Sequence, residues 1–163
     1  MSKNEWKKFE EDFIKSVPSE WEVIRLKDWW GWSNATNTRF TISNDCDFIL
    51  FTGEILIKVE LKSTKWWTLP LKNIKPNQLK KLSMPQKDWV FAYFIINYRL
   101  YNETYMITPS YINGLIMAWH KSISIALAKS YWLIIPQEKK ISRYRYLLDN
   151  ISSLWQRTKK KHS

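Results

Sequence analysis

The chain has one cysteine, Cys46, and two histidines, His120 and His162. A lone thiol excludes an internal disulfide and fits a reducing, cytoplasmic setting. Two histidines so far apart exclude a histidine-based zinc site, so any metal must be held through oxygen. No apolar run is long enough to span a bilayer, and no signal peptide, lipidation signal or basic amphipathic helix points to a membrane surface. Negative charge is scarce as well. The 15 Asp and Glu stand against 26 Lys and Arg, and the resulting +11 favours a polyanionic partner, nucleic acid above all.

What is plentiful is tryptophan, 11 residues of it. Core packing or the clamping of a loop would account for these side chains, and stacking on bases is the functional alternative. The length of 163 residues suits one domain, expected over residues 1–156 and including a loop at 27–43. Residues 157–163 form a basic tail with Lys159, Lys160 and Lys161, which serves solubility or adds nonspecific affinity for phosphate.

The informative stretch is 45–62, two runs of β-branched and aromatic residues joined at Gly53-Glu54. A Gly-X pair between such runs predicts a hairpin with a two-residue turn. Thr52 then faces Ile55, Asp47 faces Glu60 and Asp45 faces Lys62. Alternation puts Cys46, Phe48, Leu50, Ile55, Ile57, Val59 and Leu61 on one apolar face, and Asp45, Asp47, Lys58, Glu60 and Lys62 on the other. Two carboxylates roughly 5 Å apart at their Cβ atoms destabilise a ladder unless a cation lies between them. Mg²⁺ is held by one or two carboxylates together with substrate phosphate oxygens, and Mn²⁺ is a possible substitute. A neighbouring lysine would orient or help deprotonate water and offset transition-state charge. A solvated charged face is the plainer alternative, since Glu-x-Lys occurs three times, at residues 5–7, 60–62 and 138–140. Only the middle copy lies on a β run with an Asp set across from it.

In the rest of the chain, a capping box at Ser2 and Glu5 opens an amphipathic helix carrying Trp6, Phe9, Phe13 and Val17 and ending at Pro18. Glu10 borders its apolar stripe and needs a partner, a metal site or a lysine, unless it snorkels to solvent. A first strand is expected at 21–26, with Arg25 on its polar side. Residues 27–43 lose periodicity and read as a loop whose Trp29, Trp30, Trp32 and Arg39 either contact nucleic acid or pin the loop to the body. Pro76 opens a helix at 77–83, with Gln78 in its first turn, near a phosphate if that helix packs on the hairpin and otherwise in solvent. Strands are expected at 89–97 and 104–108 around a turn at Asn102-Glu103, then a helix from Pro109 to about His120, a strand at 132–135 and a weak helix at 144–155. The sum is an α/β fold, a mixed β-sheet flanked by helices.

Asp47-Phe48, Glu60-Leu61-Lys62-Ser63-Thr64, the segment from Leu69 to Gln78, the strand 90–96 and Glu103-Thr-Tyr-Met-Ile-Thr-Pro together resemble RecU-type Holliday junction resolvases, members of the PD-(D/E)XK nuclease superfamily. The resemblance covers roughly residues 5–146 and extends to Phe9-Glu10 and to Ile134-Ile135-Pro136-Gln137. It implies a restriction-endonuclease-like core and a Mg²⁺-dependent homodimer, of phage or mobile-element type, that nicks opposed strands of a four-way junction in a bacterial or phage-infected cell. It implies further that Asp47 and Glu60 bind metal, that Lys62 positions water, and that Glu10 and Gln78 complete the site. Asp45 stands where members often carry Thr, so it is an extra metal ligand or a partner for Lys62. The family's long inserted stalk has no room within 27–43. Arg25, Lys27, Arg39, Lys65, Lys72 and Lys75 are the candidates for DNA phosphates, with Trp30 and Trp32 beside them. A nuclease of the same fold acting on duplex or flap DNA, and a basic DNA-binding module with an idle site, are the competing readings.

Overall fold

The computed structural model describes residues 3–26, 29–33, 38–42, 44–84 and 86–148. In chain order the elements are α1 (Lys3–Lys15), β1 (Glu22–Arg25), β2 (Trp29–Ser33), β3 (Thr38–Ile42), β4 (Phe48–Phe51), β5 (Leu56–Thr64), β6 (Thr68–Pro70), α2 (Pro76–Ser83), β7 (Val90–Tyr98) and β8 (Glu103–Ile107), followed by α3 (Pro109–Met117), β9 (Ser122–Ser124), α4 (Ile125–Tyr131), β10 (Leu133–Ile135), β11 (Gln137–Lys139) and β12 (Tyr144–Tyr146). Six strands form one sheet in the order β1-β4-β5-β7-β8-β10. The central pair β5 and β7 is parallel, and the other neighbours are antiparallel, so the mixed α/β architecture expected from sequence is the one observed.

The parallel pair explains the layering. Parallel neighbours require a crossover, and here the chain supplies β6, a 3₁₀ turn at Leu71–Asn73 and α2 between β5 and β7. The crossover packs on one face, where Leu79 and Leu82 of α2 join Ile112 and Leu115 of α3 over Phe94, Ile96 and Tyr98. On the other face α1 buries Phe9 and Phe13 against Phe48, Ile57, Val59, Leu61 and Ile95. β7 is therefore covered on both sides, which is why it reads as an unbroken apolar run rather than an alternation. The hairpin's polar face is likewise roofed, by α2, and is not the solvated surface of an isolated ribbon.

The β4–β5 register follows the turn. Phe51 pairs with Leu56, Leu50 with Ile57 and Phe48 with Val59, closed by Thr52 N–H to the Ile55 carbonyl at 3.1 Å. Gly53 has φ +94°, a backbone state that favours glycine. Beyond Phe48 the ladder departs from the expected alternation. The Asp47 amide donates to the Val59 carbonyl at 3.0 Å, and the Asp47 carbonyl accepts from Leu26 N–H at 2.9 Å. This slip of one residue, a bulge-like irregularity, turns Cys46 into the core on the α2 side instead of the α1 side, correcting its expected place.

Three further expectations are revised. Within 27–43, expected as a loop, β2 and β3 pair antiparallel from Trp29↔Ile42 to Ser33↔Thr38. The helix expected through His120 ends at Met117, with Trp119 at φ +60°. Tyr144–Tyr146, expected within a weak helix, pairs as a strand with Gln137–Lys139 because Asp12 of α1 captures the Tyr144 amide at 3.1 Å. Residues 149–155 of that expected helix, the tail 157–163 and Ser2 of the expected capping box lie outside the described residues.

The fully buried Phe13 touches Phe48 and Tyr146 at ring-centroid distances of 6.3 Å each, on the helix that also carries Glu10. Phe13→Ala is expected to destabilise the fold by about 3–5 kcal/mol in urea unfolding. A loss under about 1 kcal/mol would mean that α1 does not clamp the sheet.

Candidate active site

Both edges of the crossover open on one cleft of about 410 Å³, lined by Trp6 and Glu10 of α1, Arg25 and Leu26 at the end of β1, Asn44, Cys46, Asp47, Glu60 and Lys62 of the hairpin, and Lys75 and Gln78 at the start of α2. Glu60 is 1% exposed, though it is a carboxylate. One of its oxygens, Oε1, accepts from Lys62 Nζ at 2.6 Å. The other, Oε2, is buried with no hydrogen-bond partner. Lys62 Nζ also donates to Gln78 Oε1 at 3.4 Å, so the helix opened by Pro76 fixes the lysine from above. Asp47 Oδ2 accepts the Leu61 amide at 2.8 Å, which anchors its carboxylate beside Glu60 across the slipped ladder.

Burial and the neighbouring Glu60 push the Asp47 carboxyl up to about 7, against the pull of the Leu61 amide and of Lys62. Glu60 is raised as well, by burial, with Lys62 opposing. Burial pushes the Cys46 thiol up to about 12, so it stays protonated and is no nucleophile.

Glu10 reaches the cleft as expected, but its partner is Arg25. The guanidinium Nη2 donates to Glu10 Oε2 at 2.6 Å while lying 5.8 Å from the Phe48 ring centre. Arg25 therefore holds Glu10 and still presents other donors to the cleft. Lys75 lines the cleft too. Asp45 does not. Its carboxylate pairs with Lys81 of α2 at 2.7 Å, because the slip at Asp47 removes it from the position across from Lys62, and the expected role as an extra ligand finds no support in its placement. Lys65 and Lys72 also lie outside the cleft lining. Lys27 lies outside the described residues, and of Trp30, Trp32 and Arg39 only the backbone is described, on β2 and β3. Trp6, expected only on the apolar stripe of α1, and Asn44 were not among the site residues expected from sequence. Trp6 is four residues before Glu10 on the same helix face, a spacing that would have found it, whereas Asn44 sits in a stretch without periodicity.

The donor set admits a hard cation. Two carboxylates lie in one corner, Glu60 with a buried oxygen that has no hydrogen-bond partner, and no third His, Cys, Asp or Glu joins them in a metal-holding group among the described residues. That fits an ion that takes one or two carboxylates and completes its shell with water and phosphate. With its only thiol inert, the cleft offers paired acids, a lysine and two further cations, and this set suits water-driven cleavage of a phosphodiester rather than covalent catalysis. Fold and cleft thus define a mixed α/β domain with a paired-acid cleft suited to nuclease chemistry. The chain belongs to the RecU family: the model of Recombination protein U matches residues 1–161. Its fold is similar to that of Archaeoglobus fulgidus Hjc, described as a Holliday junction resolvase from an archaeal hyperthermophile, with a TM-score of 0.51 and 13% identity over 78% of this chain and 93% of that chain. The comparison with curated proteins finds no match.

A carboxyl whose pKa rises on folding binds its proton more tightly in the native state. Its contribution to stability is then greatest below the unfolded value near 4 and is lost as pH climbs through about 7. Metal-free protein is therefore expected to lose stability between about pH 4 and about pH 7 in urea unfolding with EDTA, and Asp47→Asn is expected to flatten that slope. An identical slope in the variant would contradict a raised Asp47 carboxyl.

Proposed function

We propose that this cleft hydrolyses backbone phosphodiesters of four-way DNA junctions, with Asp47 and Glu60 holding Mg²⁺ and Lys62 acting on the attacking water. Membership of the RecU family, on a fold shared with an archaeal resolvase, makes the chain a Holliday junction resolvase, an endonuclease of DNA recombination. Resolvases of this kind depend on a divalent metal. Mg²⁺, with Mn²⁺ as a substitute, is the finer assignment, supported by the all-oxygen donor pair and the partnerless Oε2 of Glu60. When bound, the cation lowers the pKa of water and neutralises charge on the phosphate.

The remaining work falls to side chains of the cleft. Lys62, steered by Glu60 and Gln78, points a donor to where water and a phosphate oxygen meet. Arg25 and Lys75 receive flanking phosphates, and Glu10 keeps the Arg25 guanidinium in place. One chain contains one such cleft, and cutting two opposed strands requires two, so the active form is assigned to a homodimer. Among the described residues no helix is long and apolar enough to cross a membrane. A cytoplasmic setting, in a bacterium or phage-infected cell, is proposed from the lone buried cysteine.

The single observation that carries the assignment is the pairing of a half-buried Asp47 with a buried Glu60, with Lys62 on the same strand as Glu60. With end-labelled four-way junction and matched duplex, wild-type protein plus Mg²⁺ is expected to make paired symmetric nicks in the junction. Glu60→Gln is expected to slow cleavage by roughly 10³-fold or more, and Asp45→Ala, which breaks an ion pair outside the cleft, by no more than a few-fold. Equal cleavage by Glu60→Gln would remove the pair from the mechanism. Duplex cut as fast as junction would leave a nuclease without branch preference, a reading that the short β2–β3 strands favour.

A further inference from the structure

The strand that carries Glu60 and Lys62 ends in a turn, Lys65-Trp66-Trp67, before the chain reverses into β6. Both indoles face solvent, Trp66 at 62% and Trp67 at 56% exposure. The turn itself is held firmly. Thr64 Oγ1 donates to the Thr68 carbonyl at 2.9 Å and accepts the Trp66 amide at 3.2 Å, and the Trp67 carbonyl accepts from Ile125 N–H at 2.8 Å. A buried core with Leu69 and Ile123 lies immediately beside it, yet neither indole enters that core. Two adjacent exposed tryptophans on an anchored turn are a prepaid surface for a flat apolar partner.

Charge says what kind of partner. Between Glu60 and Asp88 the sequence has seven lysines, Lys62, Lys65, Lys72, Lys75, Lys80, Lys81 and Lys87, and no acid. Lys65 Nζ lies 5.5 Å from the Trp66 ring centre, so a cation accompanies the ring face. An apolar face within a wholly cationic segment complements a nucleobase next to its phosphate. Position says where. The turn lies between two stretches that both line the cleft, Lys62 before it and Lys75 to Gln78 after it. Four residues from Lys62 to Trp66 reach at most about 14 Å, roughly four base-pair rises of ~3.4 Å.

We propose that the Lys65-Trp66-Trp67 turn is a stacking platform for nucleobases that lose their own stack at the branch of a junction whose backbone occupies the neighbouring cleft. This rests on the resolvase reading of that cleft. A base in an unbroken duplex keeps both faces stacked and gains nothing from the indoles, whereas bases at a branch have a face to offer. The turn therefore adds selectivity for branched DNA.

The test uses the full chain in EDTA, where binding is read without cleavage, and a four-way junction with 2-aminopurine at its branch. Trp66→Ala/Trp67→Ala is expected to weaken junction binding by about ten-fold or more, to weaken duplex binding much less, and to abolish the quenching of 2-aminopurine. The dependence of log affinity on log salt should keep its slope, because no phosphate contact is lost. Trp66→Phe/Trp67→Phe, which keeps two ring faces, should restore most of the affinity. Equal weakening on duplex and junction, unchanged quenching, or a drop in oligomer mass by light scattering would each overturn the platform, the last by giving the indoles to a contact between copies. Wild-type protein that cuts no junction would instead overturn the resolvase reading, so the two failures are distinguishable.

Discussion

Two carboxylates share one desolvated corner, and the rest of the structure is arranged to keep them there. Asp47 and Glu60 repel one another, are both harder to ionise than in water, and together cost the metal-free fold stability. Local contacts ease this: the Leu61 amide on Asp47, the Lys62 ammonium on Glu60 with Gln78 holding it, and the nearby charge of Lys75. One oxygen of Glu60, Oε2, is buried with no hydrogen-bond partner among the described residues. On the proposed reading a cation would relieve this repulsion, so metal affinity and catalytic competence would have the same physical origin.

Topology supplies the three groups from three directions. The two-residue turn at Gly53 sets the hairpin register that brings Asp47 toward Glu60. The parallel pairing of β5 with β7 forces a crossover, and the crossover lays the start of α2 over Lys62. On the opposite face α1 buries Phe9 and Phe13 and turns Glu10 outward to Arg25 at the cleft rim. The same crossover begins with the exposed Trp66 and Trp67, so the cleft and its proposed base platform are two ends of one excursion of the chain.

Local physics made much of this legible in sequence. Gly53 fixes its turn by backbone conformation, and the turn fixes the register as far as Phe48↔Val59, with Asp47 and Glu60 just beyond it where the ladder slips. Pro76 opens a helix wherever the chain carries it, which placed Gln78 in a first turn. What depends on distant partners was not legible. The slip at Asp47 is imposed by Leu26, about twenty residues upstream, and it sends Cys46 into the other core and Asp45 to Lys81. The β2–β3 hairpin was hidden because Trp, Asn and Thr obscure a two-residue period, and Tyr144–Tyr146 becomes a strand because Asp12 and Gln137–Lys139 receive it. Arg25 was expected on a phosphate. It lines the cleft, and the anion it contacts there is Glu10, a pairing that only the packing of α1 on the sheet reveals.

The central claim is that a cation displaces the proton held by the raised Asp47 carboxyl beside Glu60. Calorimetric titration of Mn²⁺ into the metal-free protein, in buffers of different ionisation enthalpy, measures the protons released on binding. Near pH 6, below the Asp47 value of about 7, the account predicts release approaching one proton, shrinking toward none above about pH 8 and absent with its pH dependence in Asp47→Asn. Binding with no proton release at either pH, or release unchanged by that substitution, would contradict it.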